Sequence, residues 1–331
     1  MTAGVKFKFI FPRLTCNIAL FPEQGFRGRG GDIMRKLLVT DIDGTLAHRD
    51  NIPEEVVQAC RVLRQEGWEI IVATGRILAS ARGHMKSVGA LPEAIVYDGA
   101  RIMSDETGQE IWGVTIPPET VEGILRTIWD LAPGVQAFGD EKVFCRPDDT
   151  LARKYFSSLG VPVIDDLACP RAIRGVFRVI IHGQADSIDE IGEGISAAVG
   201  DSARAVFAGD GFLDILGPGI SKGAALDRLL GSLVEEGSPV LVAAAGDHLN
   251  DMELLEYAHI SITMEDAREP LRAMADVILP PASEKGFSRI LGPLRSLAGP
   301  FEALSREGRL TGRRGCKPSP GGRSQGGMFN G

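Results

Sequence analysis

Four short apolar runs set the frame of the chain: Lys36–Thr40, Trp68–Ala73, Ala94–Tyr97 and Pro239–Ala245. Each lacks the alternation of a half-exposed strand and stops at an acid, a hydroxyl or a glycine, the pattern of a parallel strand buried on both faces. Between the first two, Val56, Val57, Cys60, Val62 and Leu63 recur at helical spacing after Pro53 and end near Gly67, and another helix is predicted over Leu78–Val88. Strands alternating with helices predict a doubly wound, mostly parallel, Rossmann-like α/β sheet. Such sheets carry their chemistry beyond the carboxyl ends of the strands.

From Arg101 to Gly217 the pattern changes. Short strand candidates at 111–116, 135–138, 143–145, 176–181, 203–207 and 212–216 interleave with helical runs at 118–131, 149–159 and 187–199. Gly139-Asp140-Glu141 and Gly209-Asp210-Gly211 read as hairpin turns. The expectation is a second α/β domain with antiparallel pairs over 101–217, inserted into a first domain built from 34–100 and 218–295. Residues 1–33, which show no clean period, and the Gly-, Ser-, Arg- and Pro-rich stretch 296–331 are expected to be disordered extensions, with folding beginning at Met34.

A chain of 331 residues has room for two cores. No apolar run approaches the roughly 18–20 residues of a membrane span. The five cysteines (Cys16, Cys60, Cys145, Cys169, Cys316) have no C-x-x-C spacing, so neither a zinc site nor a disulfide framework is indicated and a reducing cytoplasm is the expected setting. The net charge of −8 conceals basic ends: residues 1–33 carry +3 and 306–331 carry +5, which leaves −16 for 34–305. A body this acidic argues against a nucleic-acid partner but not against a local cationic pocket for phosphate.

The first apolar run ends in Asp41-Ile42-Asp43-Gly44-Thr45-Leu46. Strand alternation puts Asp41 and Asp43 on one side, roughly 6–7 Å apart, with Ile42 turned into the packing. Acids so close repel unless a cation or a substrate charge separates their roles; a hard divalent cation would do so, held by one as an ionised nucleophile while the other carries a proton. Gly44 permits a sharp turn and Thr45 can tie it down. The second run ends in Thr74-Gly75-Arg76, where a hydroxyl beside the acids can donate to a phosphoryl oxygen and Gly75 lets backbone amides approach; taken alone, Thr74 reads more readily as a helix cap. Lys222, within Gly219-Ile220-Ser221-Lys222-Gly223, falls in the first turn of a helix, where a cation wants an anion nearby. The fourth run passes into Gly246-Asp247-His248-Leu249-Asn250-Asp251, an acid after a strand and another at the next helix start, with Asn250 as the N-cap and His248 a loop residue.

In order, Asp41–Thr45, Thr74, Lys222 and Gly246–Asp251 resemble the four motifs of the haloacid dehalogenase (HAD) superfamily of phosphotransferases. Thr74-Gly75-Arg76, with the long insertion between the second and third motifs, resembles the Cof-like branch, which carries an α/β cap; the resemblance covers 34–295. It implies a magnesium-dependent phosphatase acting on a small phosphorylated metabolite, such as a sugar phosphate, through an aspartyl-phosphate. By this resemblance Asp41 is the nucleophile, Asp43 the general acid and base, and Thr74 and Lys222 stabilise the transferring oxygens. Magnesium (Mg2+) would be held by the Asp41 carboxylate, the Asp43 backbone carbonyl and Asp247, with Asp251 in support. Gly44, Gly75, Arg76, Asp98 and Asn250 are the expected substrate contacts. One position departs from the pattern: Cof-like relatives carry Asn-Gly-Ala where this chain has Asp98-Gly99-Ala100. The carboxylate faces away, holds a cation or basic group, or alters substrate preference. A phosphomutase of the superfamily needs a second phosphate site on the cap, for which Arg146, Arg171, Arg174 and Arg178 are available. A non-catalytic regulator on this scaffold would show a damaged first motif.

Overall fold

The computed structural model describes residues 6–7, 34–130, 134–140, 142–164, 172–183, 185–209, 211–235 and 238–306. The chain runs through β1 (Lys6–Phe7) and β2 (Arg35–Thr40), then α1 (Glu54–Gln65), β3 (Trp68–Ala73), α2 (Leu78–Val88) and β4 (Glu93–Val96). Two antiparallel strands follow, β5 (Arg101–Ser104) and β6 (Glu110–Gly113). An insertion comes next: α3 (Pro118–Ile128), β7 (Gly134–Gly139), β8 (Lys142–Cys145), α4 (Thr150–Ser158), β9 (Val163–Ile164), β10 (Arg178–His182), α5 (Ala185–Val199), β11 (Arg204–Gly209) and β12 (Phe212–Leu216). The return comprises α6 (Lys222–Leu233), β13 (Val240–Ala245), α7 (Met252–Tyr257), β14 (Ile260–Met264), α8 (Glu269–Met274), β15 (Val277–Leu279) and α9 (Leu291–Arg306).

The first sheet orders its strands β1-β15-β14-β13-β2-β3-β4-β5-β6, parallel from β15 to β4. Its runs are apolar throughout because both faces are covered. Leu38, Ile70 and Leu241 pack with Cys60, Leu63, Phe287 and Leu294 on one face. Leu37, Val39, Ile71 and Val242 pack with Leu226, Leu229, Leu230 and Leu254 on the other. β2 lies between β13 and β3, so the segments that follow all three strands emerge at one edge.

The second sheet orders β11-β12-β10-β7-β8-β9 and is antiparallel except at β8 and β9. Its strands alternate as a half-covered sheet should. Val179 and Ile181 of β10 join the core under α3 and α5, whereas the alternate face meets the first sheet, where Phe138, Phe156 and Phe177 pack with Ile42, Ile77 and Tyr97. The second sheet and its helices thus form a cap laid over the strand ends of the first.

The expected start of the insertion at Arg101 differs from what is seen. Tyr97, Asp98 and Gly99 all have positive φ (52°, 53° and 98°) and reverse the chain, so that Arg101 pairs back onto Val96 and the first sheet continues through Gly113. The strand candidate at 111–116 thus belongs mainly to the first sheet, with Ile116 making an isolated bridge to Val176 just ahead of β10. Of residues 1–33, Lys6 and Phe7 pair antiparallel with Ile278 and Val277, and residues 296–306 of the stretch expected to be disordered are instead helical in α9, where Ala298 is buried against the core; the rest of the N-terminal extension and the tail beyond 306 lie outside the described residues. Among the described residues no helix is long and apolar enough to cross a membrane.

The reversing turn is wedged against the start of α6: a Cβ on Gly99 would lie 2.3 Å from the Ser221 carbonyl oxygen, in a conformation that side chains resist. Gly99→Ala is therefore expected to lower the unfolding free energy by about 2–4 kcal/mol in urea titrations. A change below about 0.5 kcal/mol would show that the turn gives way freely.

Candidate active site

The end of β2 delivers Asp41, whose amide donates to the Ala245 carbonyl at 2.9 Å and so fixes it beside the end of β13. Its carboxylate is buried and accepts from Lys222 Nζ at 2.8 Å. Lys222 opens α6, which Ser221 caps by accepting the Ala224 amide at 3.1 Å. The same ammonium donates to Asp251 Oδ1 at 2.7 Å and lies 3.7 Å from Asp98 Oδ1. The anion that a lysine at a helix start requires is thus supplied three times over. Burial pulls the Lys222 pKa down, but Asp251, Asp41 and Asp98 outweigh it and hold the ammonium charged.

The acids outnumber their cation. Burial, with Asp251, Asp247 and Asp43, pushes the Asp41 pKa well above the carboxylate range against the pull of Lys222. Asp247 rises to about 7, chiefly through burial and the nearby Asp251. Asp41, Asp247 and Asp251 each offer a carboxylate oxygen within 4.8 Å of the others. Hard oxygen donors carrying surplus negative charge fit a divalent cation. Asp251 itself is largely committed: Oδ1 to Lys222, Oδ2 to the amides of Asp247 and His248, both at 3.1 Å. Asp247 Oδ1 takes the Thr45 hydroxyl at 2.8 Å. The remaining oxygens of Asp41 and Asp247 are the ones best placed to meet a cation.

Asp43 has a different environment. Its carboxylate is half exposed and gripped by the Arg76 guanidinium through two bonds of 2.7 and 2.6 Å, and Arg76 also pairs with Asp50. The two acids of the first motif are therefore separated by their surroundings, one buried against a lysine and one at the surface against an arginine. Thr74 is buried at the end of β3, its oxygen accepting the Arg76 amide at 3.2 Å while its own proton stays available. Asn250 does not cap a helix. His248 and Asp251 close that turn instead, and the Asn250 amide reaches Asp98 Oδ1 at 2.8 Å.

Asp98 faces inward and is paired with a basic group. Arg178 of β10 lies 3.1 Å from its Oδ2, pairs also with Asp214 of β12 and donates to the Gly75 carbonyl. Burial works against ionisation of Asp98, but Arg178, Lys222 and Asn250 more than offset it and hold its pKa below the usual range. Asp214, sharing the same arginine, is pushed up to about 7 by burial and by Asp98.

A cavity of about 430 Å³ opens over these groups, with Asp41, Asp43, Gly44, Thr74, Gly75, Arg76, Asp247 and Asn250 on the floor and Phe138, Tyr155, Phe156, Arg178 and Ile180 on the cap side. All of the residues expected at the site except Asp98, Lys222 and Asp251 line it, and those three stand directly behind. Apart from Arg178, the cap wall is what the sequence left unassigned. Its residues come from β7, α4 and β10, whose register decides which side chains face the floor.

A family profile described as haloacid dehalogenase-like hydrolase matches residues 38–291. An HMP-PP phosphatase of Klebsiella pneumoniae (strain 342) is 29% identical over 247 residues, covering 72% of this chain and 88% of its own. An HMP-PP phosphatase of Yersinia enterocolitica is 29% identical over 242 residues, covering 72% and 87%. Among solved structures, a haloacid dehalogenase-like hydrolase from Bacteroides thetaiotaomicron superposes with a TM-score of 0.65 at 18% identity, covering 78% of this chain and 99% of that one. A HAD subclass IIB sugar phosphatase gives 0.63 at 20% identity, covering 83% and 100%, and at such identities the likeness speaks for the fold alone. Because the profile spans well over half of the chain and contains every acid and the lysine of the site, this protein belongs to the haloacid dehalogenase-like hydrolases, a family of enzymes.

Proposed function

We propose that this enzyme is a magnesium-dependent phosphatase that hydrolyses a small phosphorylated metabolite through an aspartyl-phosphate on Asp41. One observation carries the reading: a buried carboxylate at the end of the central strand, with one oxygen held by Lys222, opens into a cavity sized for a small ester beneath a cap. The relatives named HMP-PP phosphatases support a substrate of this class.

In this mechanism the Asp41 carboxylate attacks phosphorus, and the new P–O bond forms as the ester P–O bond breaks. Asp43 leaves the Arg76 fork, takes up a proton from solvent and gives it to the departing oxygen, then takes one from the water that cleaves the acyl phosphate. Lys222 and the Thr74 hydroxyl stabilise charge on the non-bridging oxygens. When bound by Asp41 and Asp247, magnesium supplies the positive charge against which carboxylate and phosphate can meet. Buried free thiols at Cys60 and Cys145 are in keeping with a cytoplasmic enzyme.

The cap favours hydrolysis over a phosphomutase. Among its described arginines only Arg178 lines the cavity, and Asp98 and Asp214 already compensate it; Arg146 stacks 4.3 Å from the Trp129 ring centroid and Arg174 is exposed. Arg171 lies outside the described residues. The rest of the wall is apolar, and Tyr155, 45% exposed, has a ring face to offer.

Phosphate release from an ester panel is expected to fall more than about 100-fold with chelator, to return with magnesium and to vanish in Asp41→Asn. Release unaffected by either change would end the proposal. Asp43→Asn should reduce kcat/KM for alkyl phosphates by about 10²–10⁴-fold but far less for 4-nitrophenyl phosphate, whose leaving group needs no proton; equal losses would remove Asp43 as the acid. Ring-bearing esters should outrank acyclic ones, and Tyr155→Ala should close most of that gap, a difference of about 10-fold in kcat/KM.

A further inference from the structure

The inward-facing carboxylate of Asp98 poses a problem that the rest of the site must solve. Asp98 is 1% exposed and its Oδ1 lies 3.7 Å from Lys222 Nζ, close behind the 2.7 and 2.8 Å contacts that the ammonium makes with Asp251 and Asp41. A buried carboxylate left without a partner there would compete for the lysine and draw it off the nucleophile. Two groups prevent this. Asn250 donates to Oδ1 at 2.8 Å, and Arg178 meets Oδ2 at 3.1 Å.

Arg178 comes from the cap, not from the sheet that carries the site. Its guanidinium also donates to the Gly75 carbonyl, in the turn that follows Thr74, and its position is set from behind by Asp214. Gly75 leaves the room for this: a Cβ there would lie 2.8 Å from Asp98 Oδ2 and 3.1 Å from Arg178 Nη1. Strand alternation on β10 turns Arg178 and Ile180 toward the floor while Val179 and Ile181 stay in the cap core, so cap packing aims the arginine.

We propose that Arg178 is a positioning residue supplied by the cap: by holding Asp98 and the Gly75 carbonyl it keeps Lys222 on Asp41, so that seating of the cap and readiness of the nucleophile are one event. The proposal rests on Asp41 being the nucleophile. It assigns Asp98 a partner rather than a contact with the transferring phosphate, and it explains how an acid is accommodated where an amide is usual.

The test is a double-mutant cycle of Arg178→Gln and Asp98→Asn on the full chain, measured with 4-nitrophenyl phosphate and magnesium. Arg178→Gln alone should lower kcat about 100-fold with KM within about threefold, because an unpaired buried acid now competes for Lys222. Asp98→Asn alone should cost about 10-fold or less, and adding it to Arg178→Gln should recover about 10-fold, since an amide leaves no stranded charge. Losses that simply multiply in the double variant would overturn the proposal, as would a loss confined to KM or to melting temperature. If Arg178→Gln does not fold alone, the Asp98→Asn background should restore folding, and failure to do so counts against the pairing. Should the wild type turn over no ester, the phosphatase reading fails separately; the cycle on melting temperature still requires coupled shifts, and additive ones would refute the pair.

Discussion

A lysine ammonium at 1% exposure is tolerable only among carboxylates, and the placement of Lys222 among three of them is the constraint on which this site depends. Each carboxylate comes from a different strand end: Asp41 after β2, Asp98 after β4, Asp251 beyond β13. The lysine is at the first turn of a helix rather than on the sheet, so that helix must approach closely. Glycine permits the approach, since a Cβ on Gly223 would lie 2.4 Å from the Glu253 carbonyl oxygen. Helix start, reversing turn and β13 loop therefore close on one point, and the charge they share fixes their separation.

Parallel order explains why the acids meet at all. Thr40 and Ala245 are register partners, so the residues after them emerge side by side, and Thr74 follows from the neighbouring strand on the other flank. A sheet of this kind presents its strand ends as a floor without a roof. The antiparallel insertion supplies the roof. Its contact with the floor is apolar where Phe138, Phe156 and Phe177 meet Ile42, Ile77 and Tyr97, and ionic at Arg178. The apolar part gives adhesion with little directional demand, whereas the arginine fork requires a particular orientation.

How much of this is legible in the sequence follows from the range of the interactions. The buried strands and the floor residues can be read because each is local: an apolar run, then an acid or hydroxyl. The antiparallel continuation through β5 and β6 escapes although Asp98-Gly99, at the reversal from β4 into β5, is an Asp-Gly turn signature: the positive φ at Tyr97 before it has no signal of its own, and an acid after a buried strand reads first as a site residue. Asn250 has the composition of a cap, yet its amide is used across 152 positions on Asp98. The Arg76 grip on Asp43 and the Arg178 link to Asp214 depend on tertiary approach and on antiparallel register. In register Arg178 faces Leu216, which sets Asp214 one diagonal step away on the same face. Periodicity gives the face of such a residue but not its partner.

The charge arrangement also separates stability from function. Around Lys222 and Arg178 stand five carboxylates, Asp41, Asp98, Asp214, Asp247 and Asp251, all buried or half-buried. Clusters of this kind are poor stabilisers, because the desolvation of each ion offsets most of what its partners return, and apolar residues of similar shape generally do as well or better. Stability therefore does not account for them. The two halves of the cluster differ in what they offer. Around Arg178 two enclosed carboxylates share one guanidinium, with Asp214 pushed up to about 7 by burial and by Asp98, so that half can act as a fixed strut. Around Asp41 the surplus is open to the cavity, where a cation would relieve it. On the function proposed above, an enclosed strut behind an accessible cluster of acids would let metal and phosphate enter without the lysine being pulled from its place.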